Sequence, residues 1–528
     1  MSIESSLYRR HIALLILIGI LVISVLGVCI SLLIIPSKVK EQVEYQGKTN
    51  VLFIVVDDLR PALGCYGDKR AITPNIDQLA SKGMLFKNAY AQQALCAPSR
   101  TSFLTSRRPD SLHLYDAGSY WRKTVGDFVT LPQHFKDHGY ETISVGKIFH
   151  HGIVSNKTDD FPYSWTEQPY RPPTQEYRMK PFPKEYLDLY PIGSMDLAPN
   201  HTIPPRMPKI SWNPWTDIRE RDDVKQLNVS FEDKPYGPLP EDFQLLIRQA
   251  YYASMSYMDD QLGKLLQVLE ETGYADHTDI VLIGDHGWSL GEHQEWCKYS
   301  NFEVSVNVPL IVYMPDIMEK KTRRPFRYEP VLQYTSKPNN NSEQKSYIPY
   351  PPRFQTDQLV ELVDLFPTLA EAANIAVPPL CKLYPSTFCS EGLSFYPLIE
   401  HIVTDPWIDF AWKTAVFSQY PRPALKPQLN SDQPALKDIK YMGYSIRTSR
   451  FRYTEWVRFD NRLFKPDWAV IISRELYDHE NDPLEVNNVS DEEEYSNLVI
   501  ELSKRNKLGW RHEMPPGLFD NPPRYGVY

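Results

Sequence analysis

The chain has few cysteines and no excess of basic residues, and each shortage excludes a class of protein. Six cysteines among 528 residues are too few for a small disulfide-stapled scaffold. Lysine and arginine number 57 against 66 aspartates and glutamates, a formal net charge of −9, whereas nucleic-acid binding requires a basic surface. An anionic substrate would therefore need a locally basic pocket.

What the chain does contain is an ordinary globular composition, with 42% apolar and 23% charged residues. Its length is enough to bury a sizeable core and predicts more than one domain or subdomain. We divide it into residues 1–48, an N-terminal cytoplasmic stub and signal segment; residues 49–405, a catalytic domain; and residues 406–528, a smaller C-terminal subdomain.

One apolar stretch indicates the cellular compartment. Residues 12–35 carry no charge and follow Arg9 and Arg10. This length suffices to cross a bilayer and favours an uncleaved, single-pass signal anchor, while a cleaved secretory signal stays open as the alternative. Both interpretations place the rest of the chain in the lumen of the secretory pathway.

Two further features agree with a lumenal location. Cys381 and Cys389 close a short loop and are predicted to form a disulfide, whereas Cys65 and Cys297 are expected to be packing thiols. The chain also has five N-x-S/T sequons, which predict N-glycosylation in a secreted protein. They lie at Asn156, Asn200, Asn228, Asn340 and Asn488.

Strand and helix patterns alternate along the catalytic region. Residues 50–56 (NVLFIVV) predict a strand buried on both faces. Further strands are predicted over residues 142–145, 278–283 and 309–313, and helices over residues 74–82, 131–138, 243–271 and 356–373. This order predicts an α/β fold with a mostly parallel central sheet flanked by helices. In residues 406–528, strands over 441–447, 451–457 and 475–477 predict a small antiparallel sheet, with a helix over 498–506.

Polar residues follow three of the predicted strands. Asp57-Asp58, Lys147 and Asp285-His286 come where the strands end. Because ligands of such sheets bind beyond the carboxyl ends of the strands, we expect these groups to converge on one edge. Taken alone, an Asp-Asp pair is also typical of a polar turn. A lone lysine is more often an ordinary surface residue, and a lone histidine an ordinary residue of the core.

A short motif carries the most specific information. Residues 96–100 read Cys-Ala-Pro-Ser-Arg, a C-x-P-S-R pattern. The alternative interpretation is that Cys96 is simply a buried cysteine before a helix. Around it stand VVDDLRP at residues 55–61, GKIFHHG at 146–152 and GDHGWSLGEH at 284–293. On these motifs the chain resembles the sulfatase family, within the alkaline-phosphatase-like superfamily, over most of residues 50–528. It departs at Ser106, where the family usually has glycine.

The resemblance implies a nucleophile and a metal site. Cys96 would be oxidised to formylglycine by the formylglycine-generating enzyme during biosynthesis, and Arg100 would hold the aldehyde hydrate. One Ca²⁺ ion, which prefers oxygen ligands, would be the cofactor. Its implied ligands are Asp57, Asp58, the modified Cys96, Asp285 and His286.

The resemblance also implies substrate-binding groups. Lys147, His150 and Lys298 match positions that bind sulfate oxygens or assist the leaving group. Trp288 and Tyr299 are candidates for lining a sugar pocket. The implied substrate is the 2-O-sulfate of iduronate at the ends of heparan and dermatan sulfate, degraded in the lysosome.

One family feature is missing. The resemblance implies a Gly-x-His-Lys-Pro-His segment at the end of a further strand, and this chain runs from Trp165 to Tyr186 without it. Lys180-Pro181 is its remnant, with Met179 where histidine is expected. The catalytic domain is therefore predicted to be incomplete around residues 165–185, and loss of a core strand exposes the neighbouring strand edges.

Three functions follow from these patterns. The first is an active sulfatase on sulfated glycosaminoglycan ends. The second is a related hydrolase of phosphonates or phosphodiesters, and the third is a catalytically inactive, membrane-tethered homologue. Hydrolysis of sulfate esters against phosphonate esters separates the first two, and loss of activity in Cys96→Ala separates both from the third.

Overall fold

The structure is a computed structural model that describes residues 47–172, 182–226, 238–319, 323–335, 346–382, 386–405, 410–516 and 518. The predicted signal anchor, the Met179-Lys180-Pro181 remnant and the sequons at Asn228 and Asn340 lie outside the described residues. Within the described ranges, no helix is long and apolar enough to cross a membrane. Residues 48–528 group into one compact unit.

A five-stranded sheet forms the core of this unit, in the order β1-β3-β6-β2-β7. The pairs β1–β3 and β2–β7 are parallel, and β6 is antiparallel to both of its neighbours. Four of the five strands therefore point the same way, which confirms the predicted mostly parallel sheet. The strands are β1 (Asn50–Val56), β2 (Met84–Tyr90), β3 (Thr278–Gly284), β6 (Asn307–Tyr313) and β7 (Phe354–Glu361). Between β3 and β6, the two-residue strands β4 (Ser289–Leu290) and β5 (Trp296–Cys297) pair only with each other among the described residues.

Helices flank this sheet, and the longest, α8, spans 31 residues. The bounds of the helices that contribute to this region are α1 (Pro74–Ala80), α2 (Cys96–Thr105), α3 (Pro109–Leu112), α4 (Trp121–Thr124), α5 (Leu131–Asp137), α6 (Thr216–Glu220), α7 (Asp222–Gln226), α8 (Glu241–Glu271), α9 (Glu303–Val306), α10 (Pro315–Met318), α11 (Leu365–Ala372) and α12 (Tyr396–Thr404). The helices predicted over residues 74–82, 131–138 and 243–271 are confirmed as α1, α5 and α8. Proline stands in the first turn of α1 and α5, where its missing N–H costs nothing.

The C-terminal region forms a second sheet, entirely antiparallel, in the order β11-β10-β9-β8. Its elements are β8 (Ala415–Arg422), β9 (Tyr441–Thr448), β10 (Phe451–Asp460), β11 (Lys465–Asp478) and the helix α13 (Ser496–Leu508). The antiparallel sheet and the terminal helix agree with the sequence pattern. The boundary that we placed between the catalytic domain and the C-terminal subdomain, at residues 405 and 406, stays a prediction.

Three predictions about the large sheet were wrong. Residues 142–145 are not a strand, because only a single bridge joins Val145 to Tyr170. The helix predicted over residues 356–373 is divided, because residues 354–361 pair with β2 as β7 before α11 begins. β1 is half-buried along its whole length instead of buried on both faces, because it lies at the edge of the sheet.

The predictions for the cysteines are confirmed, whereas two of the predicted glycosylation sites are buried. Cys381 and Cys389 form the predicted disulfide, and Cys65 and Cys297 are buried free thiols. Asn200 and Asn488 are buried, and the Nδ2 of each donates hydrogen bonds to backbone carbonyls. We therefore expect no glycan at these two sequons, because a glycan requires an accessible Nδ2. Asn156 is exposed, and its glycosylation stays a prediction.

Candidate active site

The ends of two neighbouring strands build the site. In the parallel β1–β3 pair, Val56 lies opposite Gly284, so Asp57-Asp58 and Asp285-His286 leave the sheet side by side. Asp58 turns away in the left-handed conformation (φ 59°), and the hydroxyl of Tyr251 donates to its carbonyl oxygen over 2.9 Å. This turn fixes where the Asp58 carboxylate points.

Cys96 stands at the first turn of α2, facing these strand ends. Its Sγ lies 3.5 Å from Asp57 Oδ1 and 3.3 Å from His286 Nε2. One ligand atom each from Asp57, Asp58, Cys96 and His286 fall within 4.8 Å of one another. The structure therefore brings together four of the five predicted metal ligands in one cluster.

The fifth predicted ligand, Asp285, lies directly behind this cluster. Its Oδ2 accepts a hydrogen bond from Arg100 Nε at 2.8 Å and lies 3.5 Å from His286 Nε2. Its Oδ1 accepts from the backbone N–H groups of Asp58 and His286, both at 3.1 Å. Asp285 is fully buried and in this structure serves mainly to hold the other groups in place.

Two lysines face the same point. Lys298 Nζ lies 2.7 Å from Asp58 Oδ1 and 3.0 Å from Cys96 Sγ. Lys147 Nζ lies 2.8 and 2.9 Å from the two oxygens of Asp57. Each of the two lysine ammonium groups thus faces the cluster and is paired with one of its carboxylates.

The charges determine the protonation states. Burial tends to raise the pKa of Asp57, but Arg100, Lys147 and Lys298 outweigh it and hold that pKa well below its usual range. Burial, opposed by Lys298, raises the pKa of Asp58. Burial, again opposed by Lys298, raises the pKa of the Cys96 thiol to about 12. An unmodified Cys96 is therefore a neutral thiol at neutral pH and a poor nucleophile.

The donor set fits a divalent cation. Asp57 and Asp58 offer the carboxylate oxygens that hard cations prefer. Burial lowers the pKa of His286, so the ring is neutral, and its Nδ1 lies 3.0 Å from the carbonyl oxygen of Gly287. That hydrogen bond assigns the proton to Nδ1 and leaves the lone pair of Nε2 facing the cluster, the arrangement of a metal-binding histidine.

The three remaining predicted site residues, His150, Trp288 and Tyr299, differ in how accessible they are to a ligand. Burial and the charge of Lys147 lower the pKa of His150 to about 4, and its buried Nδ1 has no hydrogen-bond partner among the described residues. The rings of Trp288 and Tyr299 lie 5.7 and 5.9 Å from Lys298 Nζ. Trp288 is partly exposed, but Tyr299 is 1% exposed, so only Trp288 is accessible to a ligand in this structure.

Other residues of the site escaped the sequence argument. The Tyr251 hydroxyl, on α8, supports the turn at Asp58, and the Ser99 hydroxyl donates to the backbone carbonyl of Asp285. The Tyr299 hydroxyl donates to Asp217 and accepts a hydrogen bond from Gln433 Nε2 at 2.9 Å. Tyr251, Asp217 and Gln433 come from distant parts of the chain, and no local pattern marks them, whereas Ser99 belongs to the C-x-P-S-R motif.

Comparison with known proteins agrees with this geometry. The family model described as "Sulfatase" matches residues 49–375, which is more than half of the chain. The chain belongs to the sulfatase family and is a sulfatase enzyme. It is 44% identical over 521 residues to a human protein named iduronate 2-sulfatase, covering 85% of this chain and 92% of that protein. It is 43% identical to the mouse protein of the same name, covering 86% and 93%.

Solved structures support the fold. A 2-O GAG sulfatase superposes with a TM-score of 0.57 at 19% identity, covering 87% of this chain and 91% of that one. A phosphonate monoester hydrolase from Silicibacter pomeroyi also gives a TM-score of 0.57, at 17% identity, covering 89% and 97%. At these identities the similarity establishes the fold and not the substrate.

The alignment with the human relative also reveals a difference in length. It runs over 521 positions but takes in 85% of this 528-residue chain, which is about 449 residues. Some 70 aligned positions therefore have no residue of this chain opposite them.

Proposed function

We propose that this chain removes the 2-O-sulfate of iduronate at the ends of heparan and dermatan sulfate, using a formylglycine formed from Cys96 and one Ca²⁺ ion. The observation that carries the proposal is the position of Cys96. Its Sγ lies within hydrogen-bond distance of Lys298 and His286 and beside Asp57, at the carboxyl ends of β1 and β3. Identity of 44% to a protein named iduronate 2-sulfatase supports the choice of substrate.

The nucleophile is a hydroxyl of the hydrated aldehyde at position 96. One hydroxyl oxygen attacks sulfur, and the S–O bond to the sugar breaks as the sugar oxygen leaves. The second hydroxyl then loses its proton, the C=O bond reforms, and the C–O bond to the sulfate breaks. A serine at this position would be trapped after the first step, since it has no second hydroxyl with which to expel sulfate.

The fixed cations stabilise the charge of the sulfate. Lys298 contacts Cys96 and Lys147 contacts Asp57. Burial would lower the pKa of Lys298, but nearby negative charges, Asp58 first among them, keep that pKa well above the usual range. Arg100 is buried and held by Asp285 and Asp57, so it is pre-oriented toward the hydrate. When bound, a calcium ion would polarise the sulfate and promote deprotonation of the hydrate.

The leaving alcohol requires a proton, and His150 is our candidate donor. Its pKa of about 4 belongs to the sulfate-free state, in which burial and Lys147 disfavour the imidazolium. A bound sulfate brings negative charge that raises this pKa. His150 would then hold a proton in the complex and deliver it to the sugar oxygen.

Location and partners are part of the same proposal. The disulfide between Cys381 and Cys389 supports an oxidising compartment. We propose a lumenal, lysosomal enzyme that meets the formylglycine-generating enzyme during biosynthesis and sulfated glycosaminoglycan ends afterwards. An N-terminal membrane anchor stays a prediction.

A comparison of substrates tests this function. Full-length chain from secretory cells should hydrolyse a fluorogenic iduronate 2-sulfate faster than a phosphonate monoester or a phosphodiester. Cys96→Ala should lower kcat/KM by at least about 10³-fold, whereas Cys65→Ala, at another buried free thiol, should leave it unchanged. Faster phosphonate hydrolysis would favour the related hydrolase, and equal activity of Cys96→Ala would exclude a nucleophile at this position.

A further inference from the structure

Lys298 stands on an unusual piece of backbone. It directly follows the short strand pair β4–β5, in which Cys297 lies opposite Ser289. The residues on either side of the lysine, Cys297 and Tyr299, both adopt the left-handed conformation, with φ 69° and φ 82°. Residues other than glycine rarely adopt this conformation, because Cβ then comes too close to the backbone. Such a backbone persists only where the surrounding structure holds it.

Asn213 holds the carbonyl group of Lys298 itself. Its Nδ2 donates a hydrogen bond to Lys298 O over 3.1 Å. The Asn213 side chain is buried, and its Oδ1 accepts from the backbone N–H of Trp215 at 2.9 Å. Its own backbone N–H donates to Glu295 Oε1 over 2.9 Å. The peptide that follows Lys298 therefore cannot rotate without breaking a bond to a fixed side chain.

Arg422, the last residue of β8 in the C-terminal sheet, holds the next carbonyl group. Its Nη2 donates to Tyr299 O and to Ser211 O, each over 2.8 Å. The side chain is buried, and its charge has no carboxylate among its hydrogen-bond partners in the described part of the chain. Its acceptors are instead the backbone carbonyl oxygens of Ile210, Ser211, Tyr299, Pro421 and Ser431.

These contacts close a ring around the Lys298 peptide. Residues 210–213 bond to Lys298 through Asn213 and to Arg422 through two carbonyl groups, and Arg422 bonds to Tyr299. Burial of a charge without a carboxylate partner is unfavourable, so an arginine is a costly choice for packing alone. Its planar fork of donors, however, fixes several carbonyl groups relative to one another, which a lysine cannot do.

We propose that Arg422 is a positioning residue for the sulfatase reaction, because it joins Ser211 O to Tyr299 O and so keeps Lys298 Nζ beside Asp58 and position 96. Lys298 Nζ lies 2.7 Å from Asp58 Oδ1 and 3.0 Å from Cys96 Sγ. Among the described residues, Arg422 hydrogen-bonds to none of these groups, so it acts through the backbone. The C-terminal sheet thereby takes part in placing a lysine of the catalytic domain.

A double-mutant cycle on the full-length chain from secretory cells tests the proposal, with a fluorogenic sulfate ester as substrate. The inference rests on the role that the proposed function gives to Lys298, and Lys298→Ala alone, which should lower kcat at least about 10³-fold, tests that role. Arg422→Gln should lower kcat at least about tenfold and change KM less than about twofold, because it displaces a group beside the attacking atom. In the Lys298→Ala background, Arg422→Gln should cause less than about a twofold further loss.

A conservative variant separates the shape of the side chain from its charge. Arg422→Lys keeps the charge but ends short of Tyr299 O and has no fork, so its kcat should fall about as far as that of Arg422→Gln. Near-ultraviolet circular dichroism and urea unfolding establish that each variant is folded. If Arg422→Gln does not fold, Asn213→Ala takes its place in the cycle with the same expectation, because it frees the same peptide.

Arg107→Gln is the matched control. Arg107 is also a buried arginine and donates to the backbone carbonyls of Ser386 and Cys389, so its loss should lower stability but leave kcat unchanged. Additive losses in the cycle, full activity of Arg422→Lys, or a higher KM at unchanged kcat would each overturn the proposal. An undiminished kcat in Lys298→Ala would overturn it together with the role that the proposed function gives to Lys298.

Discussion

β1 and β3 are neighbours of equal length that have the same task in very different surroundings. Each has seven residues, each is mainly apolar, and each ends in acidic residues of the active site. β3 is buried at every position, whereas β1 is half-buried at every position. The site is thus built half on a fully buried interior strand and half on a half-buried edge strand. The positions of Asp57 and Asp58 therefore depend on contacts from outside the sheet.

Those outside contacts can be named. The Asp58 turn is held by Tyr251 and Lys298, and the Asp57 carboxylate by Lys147 and Arg100. On the β3 side, the Asp285 carboxylate is buried and accepts hydrogen bonds from Arg100 and two backbone N–H groups. We therefore expect substitutions at the ends of β1 and β3 to lower activity to a similar extent. Substitutions within the strands should destabilise the fold more in β3 than in β1.

The largest expected effect is on activity. Asp57→Asn and Asp285→Asn should each lower kcat/KM by at least about 10³-fold, because each removes a charge from the site where sulfate and metal are bound. Steady-state kinetics on a fluorogenic sulfate measure this loss. Asp467→Asn, at an exposed position of β11, is the matched control and should be neutral. A much smaller loss for Asp57→Asn would mean that the edge strand does not share the catalytic task.

The next effect is on stability. Ile283→Ala, at a fully buried position of β3, should lower the free energy of unfolding by about 3 kcal/mol. Ile54→Ala, on half-buried β1, should cost about half as much, because part of that side chain already contacts water. Urea unfolding of both variants measures the difference, and equal losses would show that the β1 edge is covered in solution.

Metal removal should affect β1 in particular. Ca²⁺ at about one hundred times its Kd should stabilise the folded chain by roughly 2.7 kcal/mol, because only the folded state assembles the ligands. Thermal unfolding with Ca²⁺ or EDTA measures this, with Mg²⁺ as a comparison ion. Asp57→Asn should abolish the Ca²⁺-dependent rise in Tm, and a rise that persists would place the ion elsewhere.

The smallest effect is a pH dependence that arises on β3. Burial, with a contribution from Asp316, raises the pKa of Asp279 to about 7, whereas an unfolded aspartate titrates near about 4. The folded chain therefore keeps this proton longer than the unfolded chain, so the contribution to stability is present below about pH 4 and is lost as the pH rises to about 7.

Asp279→Asn should accordingly flatten the decline in unfolding free energy between about pH 5 and about pH 7.5, by on the order of 1 kcal/mol. Urea unfolding at the two pH values measures it. Asp467→Asn serves again as the exposed control. An unchanged slope in Asp279→Asn would mean that this carboxyl is ionised in the folded state.

The comparison of strands also shows where sequence reasoning succeeded and failed. Residues 50–56 and 278–283 have the same apolar pattern, and both were correctly predicted as strands. Whether a strand is buried depends on its neighbours in the sheet, so the pattern did not reveal that β1 lies at an edge. Residues 142–145 also have a strand pattern, but within the part of the chain that the structure describes they form only one bridge, from Val145 to Tyr170.

The prediction of a single helix over residues 356–373 was wrong for a related reason. The apolar positions of this stretch fit a helix as well as a strand, and parallel pairing with β2 decided for a strand up to Glu361. The site was more predictable, because strand ends and the C-x-P-S-R motif locate Asp57, Cys96 and His286 directly. Tyr251 and Asp217 were missed, since only the folded chain brings them to the site.

The most direct test of the central claim is the mass of the peptide between Lys87 and Arg100, isolated by trypsin from chain produced in secretory cells. Conversion of Cys96 should make this peptide lighter, because an aldehyde oxygen replaces the thiol, and it should react with a hydrazide reagent. A peptide of unmodified mass that reacts with iodoacetamide and not with hydrazide would contradict the account.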